Sequence, residues 1–373
     1  MRTPTRRVPV PVAATVAGLL VLSLTACGQE ALGGSRYKPE KSDGVTVGLA
    51  MPTKSSERWI ADGENMAEQF RKAGYATDLQ YGDDKVENQV AQIESMITKG
   101  VGLLVVAAID GSALSDVLEQ ADDAGIPVIA YDRLIMGTGS VDYYASFDNE
   151  RVGRLQAQYI VDALELGDAA PGGSTRNIEL FAGSPDDNNT KYFWNGAMQV
   201  LQPYFDSRQL TVRSGQTTLA KAATLRWSGE TAQKRMDDVV TRSYGQERID
   251  AVLSPYDGIS IGIISALQSA GYGTAAQPLP VVTGQDAELA SVKSIIRGEQ
   301  TQTVFKDTRE LAEQAVQMGG AALTGKKVRV NNTTDYDNGV KTVPSYLLEP
   351  VSIDRKNTSL LVDQGYFTQG QLS

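Results

Sequence analysis

From Val45 onward, short apolar runs alternate with segments in which apolar residues recur every three or four positions. Val45–Met51 reads as a buried strand. Ile60, Gly63, Met66, Ala67 and Phe70 then mark one face of a helix that Gly74 stops. The order repeats with a strand at Ala76–Gln80 and a helix face through Val86, Val90, Ile93 and Ile97. It repeats again with a strand at Val101–Ala107 and a helix face through Leu114, Val117, Leu118 and Ala121. Ile126–Tyr131 and Tyr143–Phe147 complete a five-stranded half. Unbroken apolar strands separated by amphipathic helices predict parallel sheets covered on both faces.

A second half opens with a helix face at Val152, Leu155, Tyr159 and Ala163. Strands are predicted at Ile178–Ala182, Leu210–Arg213, Ala251–Leu253, Pro280–Thr283 and Thr303–Phe305. A helix from Leu311 to Leu323 and an extended stretch near Tyr346–Leu348 follow. Two stretches echo each other. Val105–Asp132 runs strand, Ile-Asp-Gly-Ser, helix, Ala-Gly, and a strand ending in Tyr-Asp; Val252–Asp286 repeats that plan with Tyr-Asp-Gly-Ile-Ser and a final Gln-Asp. The expected fold is α/β, with two Rossmann-like lobes built on parallel sheets.

The N-terminus follows another pattern. Arg2, Arg6 and Arg7 precede the uncharged Val8–Leu24, and Leu24-Thr25-Ala26 leads into Cys27, the only cysteine. This reads as a secretory signal over residues 1–26. A short membrane helix is the alternative, but the run is shorter than the roughly 20 residues of a span and contains Pro9 and Pro11. Residues 27–43, rich in Gly, Ser and charge, read as a flexible tether.

Charge and composition narrow the function. Without residues 1–26 the 373-residue chain loses three arginines and no acids, leaving 32 basic and 45 acidic side chains and a net charge of −13. Nucleic acid and anionic membrane surfaces need clustered Lys and Arg, so neither is an expected partner. Histidine is absent. That removes Ser-His-Asp and Cys-His nucleophiles, imidazole zinc sites and the commonest general base, and shifts the expectation from catalysis to binding. No cofactor and no metal are expected.

In an open parallel sheet, ligands bind beyond the carboxyl ends of the strands. Here those ends carry Pro52–Trp59, Tyr131-Asp132-Arg133, Phe147-Asp148-Asn149, Ser184–Asn189, Pro255-Tyr256-Asp257-Gly258, Gly284-Gln285-Asp286 and Lys306-Asp307, with Trp227 nearby. Asp, Asn and Arg are planar forks that take part in two hydrogen bonds at once. Adjacent sugar hydroxyls suit them, and an indole suits the apolar face of a sugar ring. Mixed acids, amides and tryptophans therefore favour a neutral polyol over a phosphate or an amino acid. Each element has a plainer reading as well. Asp257 and Asp110 are equally well explained as helix N-caps, Asp186 and Asn188 as turn formers, Trp194 as core, and Arg58 and Arg133 as surface ion pairs. Paired carboxylates such as Asp132 and Asp286 also occur in glycosidases, although nothing in the sequence marks a raised-pKa acid. Two motif matches fail: Gly320–Lys327 has Lys327 where a phosphate loop needs Ser or Thr, and Asp335–Gly339 places its glycine one position early for a calcium loop.

Several motifs in fixed order carry a family likeness. Met51-Pro-Thr-Lys-Ser-Ser-Glu-Arg-Trp59, Val128-Ile-Ala-Tyr-Asp-Arg-Leu134 and Ser146-Phe-Asp-Asn149 are followed by Gly183-Ser-Pro-Asp-Asp-Asn-Asn189. Leu253-Ser-Pro-Tyr-Asp-Gly-Ile-Ser-Ile-Gly262, Gly284-Gln-Asp-Ala287 and Val304-Phe-Lys-Asp307 complete the set. The chain resembles the substrate-binding proteins of sugar ABC transporters, in the xylose-binding and multiple-monosaccharide-binding branch of the periplasmic-binding-protein type I class. Leu24–Cys27 likewise resembles a bacterial lipobox, which implies lipid on Cys27 as the only membrane attachment.

The resemblance implies two lobes joined by three hinge crossovers, placed near Asp148–Asn149, Gly284–Gln285 and residues 336–345. Residues 44–148 plus 285–335 would form one lobe, and 149–284 plus 336–373 the other. Implied sugar contacts are Arg58, Asp132, Arg133, Asp187, Asn189, Asp286 and Lys306, with Trp59 and Trp227 sandwiching the ring. Asp257, Lys54 and Asn149 are further candidates. Tyr256 stands where relatives often carry Asn, so its contact is an open question. The implied function is a monomeric extracytoplasmic receptor that closes on a xylose-, glucose-, galactose- or arabinose-type sugar and delivers it to an ABC permease. A sugar sensor feeding a signalling partner and a secreted carbohydrate-active enzyme are the alternatives.

Overall fold

Five strands build the first sheet: β1 (Thr46–Met51), β2 (Ala76–Tyr81), β3 (Leu103–Val106), β4 (Val128–Tyr131) and β5 (Tyr143–Phe147). They lie in the order β2-β1-β3-β4-β5, every pair parallel. Helices α1 (Glu57–Lys72), α2 (Val86–Thr98) and α3 (Ser115–Asp123) make the crossovers. These coordinates are a computed structural model describing residues 44–167, 174–245 and 247–373. The predicted signal, the tether and Cys27 lie outside those residues.

The unbroken apolar runs have a direct explanation. Successive side chains of a strand face opposite sides of the sheet, and both sides are covered. Leu103 and Val105 pack with Met66 and Phe70 of α1, while Leu104 and Val106 pack with Ile93 and Met96 of α2 and Leu118 of α3.

The chain then enters the second half through α4 (Asn149–Ala163), β6 (Arg176–Leu180), α5 (Asn189–Asp206), β7 (Leu210–Thr211) and α6 (Leu219–Ala222). It continues through α7 (Gly229–Ser243), β8 (Ala251–Leu253), α8 (Asp257–Ser269), β9 (Val281–Val282), α9 (Leu289–Arg297) and β10 (Gln302–Phe305). The sheet order is β7-β6-β8-β9, and a parallel bridge from Gln285 to Val304 ties β10 to it. Helices α4 and α5 cross backbone to backbone. A Cβ on Gly153 would stand 1.9 Å from the carbonyl oxygen of Phe193, and one on Gly196 2.0 Å from that of Glu150.

Helix α10 (Thr308–Leu323) returns to the first half, where Leu311 and Ala315 pack beneath β1 and β3. Strand β11 (Ser345–Leu348) adds a sixth, parallel strand beside β5. Strand β12 (Val351–Asp354) goes back and pairs antiparallel with β10. Helices α11 (Ser359–Asp363) and α12 (Gln369–Leu372) end the chain.

Three connections therefore join two α/β lobes, but two of them lie away from the expected positions. Pairing changes sheet after Phe305 and after Leu348, not at Gly284–Gln285 and within 336–345. The cause is packing. Val304 is buried against Val152 and Phe193, and Phe305 against Val292 and Ile353, so α9 and β10 cohere with the second half. Tyr346 and Leu348 pack on the first-half core. Strand β12, Val-Ser-Ile-Asp, alternates but is only four residues long, too short a run to have been predicted.

Candidate functional site

A cavity of about 530 Å³ opens between the carboxyl ends of the two sheets. The first half contributes Arg58 and Trp59 from the first turn of α1 and Asp132 and Arg133 from the end of β4. The second half contributes Asp187 and Asn189 at the start of α5, Phe193 one turn later, Trp227, Tyr256, Gln285 and Asp286. Lys306 enters from the β10–α10 connection.

Ion pairs organise the floor. The Arg58 guanidinium is surrounded by three carboxylates: Nε meets Asp62 Oδ2 at 3.2 Å, NH1 meets Asp286 Oδ1 at 3.1 Å, and NH2 bonds Asp132. Lys306 Nζ lies 2.8 Å from Asp286 Oδ1 and 3.9 Å from Asp132 Oδ1. Arg133 Nε lies 3.1 Å from Asp187 Oδ2, and its NH1 donates to the Ala108 carbonyl at 3.0 Å. Both arginines lie over the Trp59 ring, with guanidinium carbons 4.9 and 5.0 Å from its centroid.

Burial and charge oppose each other at these groups. Burial pushes the Asp132 carboxyl up, but Arg58 and Lys306 outweigh it and hold the group below the ordinary carboxylate range. At Asp187 burial wins over Arg133 and the carboxyl is raised. Burial opposes the charged form of Arg58, yet Asp132, Asp286 and Asp62 keep it firmly protonated. Behind the cavity, burial raises Asp62 to about 7 despite Arg58; its other oxygen accepts from the Tyr131 hydroxyl.

Backbone strain clusters at the same place. Asp132, Asp286, Ala287, Arg226 and Trp227 have φ of 58°, 89°, 50°, 54° and 55°, a region that side-chain-bearing residues seldom occupy. Such strain persists where surrounding contacts over-determine it, and it concentrates at functional sites. One of those contacts crosses the rim: Arg226 NH1 pairs with Asp186 at 2.9 Å and donates to the Ile109 carbonyl of the first half at 3.1 Å.

Residues 47–327 match the periplasmic binding protein domain family. The chain belongs to that family. It is 62% identical over 330 residues to the multiple sugar-binding periplasmic protein SbpA of Azospirillum brasilense, covering 88% of this chain and 91% of that one. It is 57% identical over 355 residues to the multiple sugar-binding periplasmic receptor ChvE of Rhizobium radiobacter, covering 94% and 99%. Among solved structures it is similar to an ABC transporter solute binding protein from Clostridium phytofermentans with bound β-D-glucose, at 48% identity and a TM-score of 0.84, covering 88% and 100%. The family is one of binding receptors, not enzymes.

Ten of the thirteen sugar-contact candidates line the cavity: Arg58, Trp59, Asp132, Arg133, Asp187, Asn189, Trp227, Tyr256, Asp286 and Lys306. Three candidates do not. Asp257 is fully buried, and its carboxylate accepts from Gln300 Nε2 at 2.9 Å, Thr303 Oγ1 at 3.0 Å and Glu288 N at 2.9 Å. It braces the Glu288 segment. Asn149 is also fully buried; its amide donates to Ser146 Oγ at 3.3 Å and Asn189 Oδ1 at 3.1 Å, which ties the first crossover to α5. Lys54 is exposed, with Nζ 4.9 Å from the Tyr81 ring centroid.

Other cavity residues were missed. Phe193 lies edge-on to Trp227 at 6.1 Å, and its position four residues after Asn189 on α5 was the available signal. Glu288 accepts from the Tyr256 hydroxyl at 2.6 Å and faces Ser56 across the cleft at 3.5 Å. Burial raises its carboxyl to about 7. Tyr256 is thus committed to Glu288. Trp194, on α5, packs against the core that includes Ile178 and Leu180 of β6.

Proposed function

We propose that this chain is an extracytoplasmic receptor that captures a neutral monosaccharide between its two lobes and delivers it to an ABC permease. The observation that carries this reading is the floor of the cavity, where Arg58, Arg133 and Lys306 are already matched by Asp132, Asp187 and Asp286. An anionic ligand finds no uncompensated cation there. A sugar hydroxyl accepts from an arginine and donates to an aspartate, so it enters such a cluster without leaving a buried charge unpaired.

In this reading Arg58, Asp132, Arg133, Asp187, Asn189, Asp286 and Lys306 bond the hydroxyls, and Trp59 and Trp227 flank the ring. Both lobes contribute, so the ligand stabilises the closed form over the open one. The names of SbpA and ChvE, and the 35% identity to the D-xylose-binding periplasmic protein of Escherichia coli, support a pentose or hexose as ligand. Calorimetry against D-xylose, D-glucose, D-galactose and L-arabinose is expected to find at least one with a micromolar or tighter constant, about −8 kcal/mol. Binding of none of them, or turnover of aryl glycosides, would overturn the reading.

Lipid on Cys27 and a monomeric receptor complete the proposal. Cys27→Ser is expected to abolish incorporation of a labelled fatty acid and release the protein from membranes. Label retained by the variant would exclude this anchor. Sedimentation tests the monomer, and a concentration-independent dimer would refute it.

A further inference from the structure

The charged groups of the cavity floor are ion-paired with one another, although Arg133 Nε, 3.1 Å from Asp187 Oδ2, makes no hydrogen bond. Two uncharged polar groups in the wall have neither kind of partner. Gln285 lines the cavity and is only 3% exposed, and its amide oxygen Oε1 is buried without a protein hydrogen-bond partner among the described residues. Trp227 also lines the cavity, and its indole Nε1 is buried without a partner among the described residues.

Other buried amides with an orphan oxygen differ. Gln92, Gln300 and Gln302 each bond through the amide nitrogen to Tyr81, to Asp257 and Gln302, and to Ser352 respectively. Gln285 has no such anchor, although its backbone is firmly held. Its carbonyl accepts from Asp257 N at 3.1 Å, and Gln285 is bridged to Val304. The neighbouring Asp286 and Ala287 sit in the left-handed region. Trp227 is held in the same way: its own backbone is strained, its N–H donates to the Thr224 carbonyl at 3.1 Å, and Phe193 and Tyr256 meet its ring edge-on at 6.1 Å. Two rigid segments thus present one amide oxygen and one N–H that the protein itself leaves unanswered.

We propose that the Gln285 amide and the Trp227 indole N–H are the specificity-determining groups of this cavity, each answered by a hydroxyl or ring oxygen of the bound sugar. This rests on the monosaccharide reading above and deepens it. A hydroxyl that bonds Asp132 or Asp286 competes with an ion pair already in place. A hydroxyl that bonds Gln285 or Trp227 satisfies a group that is otherwise desolvated for nothing. Discrimination against a sugar lacking that oxygen is therefore largest at these two positions. Trp227 acts as a donor as well as an apolar surface.

The test is calorimetry on Gln285→Leu and Trp227→Phe, together with thermal melts of the ligand-free proteins. Each variant is expected to bind the preferred sugar about tenfold or more weakly, with one singly deoxygenated analogue binding as well as the parent sugar. For Gln285→Leu the ligand-free melting temperature is expected to stay level or rise, because an unanswered buried group has been removed. For Trp227→Phe it is expected to fall through lost packing against Gly183, so that variant is judged on affinity and on the deoxygenated analogue. A merely structural role predicts the reverse, a lower melting temperature with wild-type affinity, and that result overturns the proposal. Gln285→Met, unbranched and similar in volume, replaces the Leu variant should the latter not fold. A wild-type protein that binds no sugar overturns both readings, whereas wild-type affinity in both variants overturns this one alone.

Discussion

Arg58 NH1 lies 3.1 Å from Asp286 Oδ1, and the contact joins helix α1 of the first lobe to the turn after β9 of the second. Lys306 Nζ reaches the same oxygen at 2.8 Å. Asp286 is therefore shared by two cations, one carried by each side of the cavity, at a residue with φ of 89°. Removing it uncouples the lobes as well as the ligand.

Asp286→Ala leaves Arg58 and Lys306 short of a partner and any sugar hydroxyl short of an acceptor. The expected loss of binding free energy is about 2 kcal/mol or more. Titration calorimetry measures it, and wild-type affinity would remove Asp286 from the site.

Gly183→Ala tests how the indole is seated. A Cβ at Gly183 would come within 2.0 Å of Trp227 Cη2, so the ring has to move. Overpacking of this kind costs about 1–3 kcal/mol. Tryptophan emission should shift, the melting temperature should fall, and sugar affinity should drop; an unchanged emission spectrum would show that the ring has room.

Asp257→Ala separates bracing from binding. The change strands Thr303 Oγ1 and the Glu288 N–H and leaves Gln300 Nε2 with only the Gln302 carbonyl, at a cost of about 3 kcal/mol. Thermal denaturation is expected to show the loss while the folded fraction still binds sugar. A variant of normal stability and lost affinity would return Asp257 to the contact set.

Stability should also depend on pH through Glu288. Burial raises its carboxyl from 4.5 to about 7, aided by Asp286 and Glu57 and opposed by the Tyr256 hydroxyl. A raised pKa means that the folded state binds the proton more tightly than the unfolded chain. This stabilisation is fully present below about pH 4.5 and is lost as the pH rises through about 7. Glu288→Gln, still able to accept from Tyr256, should flatten that part of a melting-temperature profile. Parallel profiles for variant and wild type would rule the linkage out.

Much of the architecture could be read along the chain. The runs at Val101–Ala107 and Ala251–Leu253 are apolar because helices cover both faces of their sheets, and a sheet covered on both faces leaves no polar alternation. The strand ends named the cavity-lining residues for a related reason: polar side chains at those points can only cap a helix or face the space beyond the sheet. What failed was the choice between those two fates. Asp132 and Asp257 both follow a strand, yet one lines the cavity and the other is fully enclosed. Nothing in their neighbours along the chain distinguishes them, because Gln300 and Thr303 enclose Asp257 from more than forty residues away.

The sequence alone determined the alternation of strands and helices, the two-lobed plan and the supply of forked polar groups at strand ends, because these follow from periodicity and local chemistry. Only the tertiary structure decided where β10, β11 and β12 pair. The same is true of which carboxylates share Arg58, and of which polar groups, Gln285 and the Trp227 indole, are left unanswered in the wall. Pairing, sharing and satisfaction are relations between residues distant along the chain, and they exist only once the backbone has brought those residues within hydrogen-bond reach.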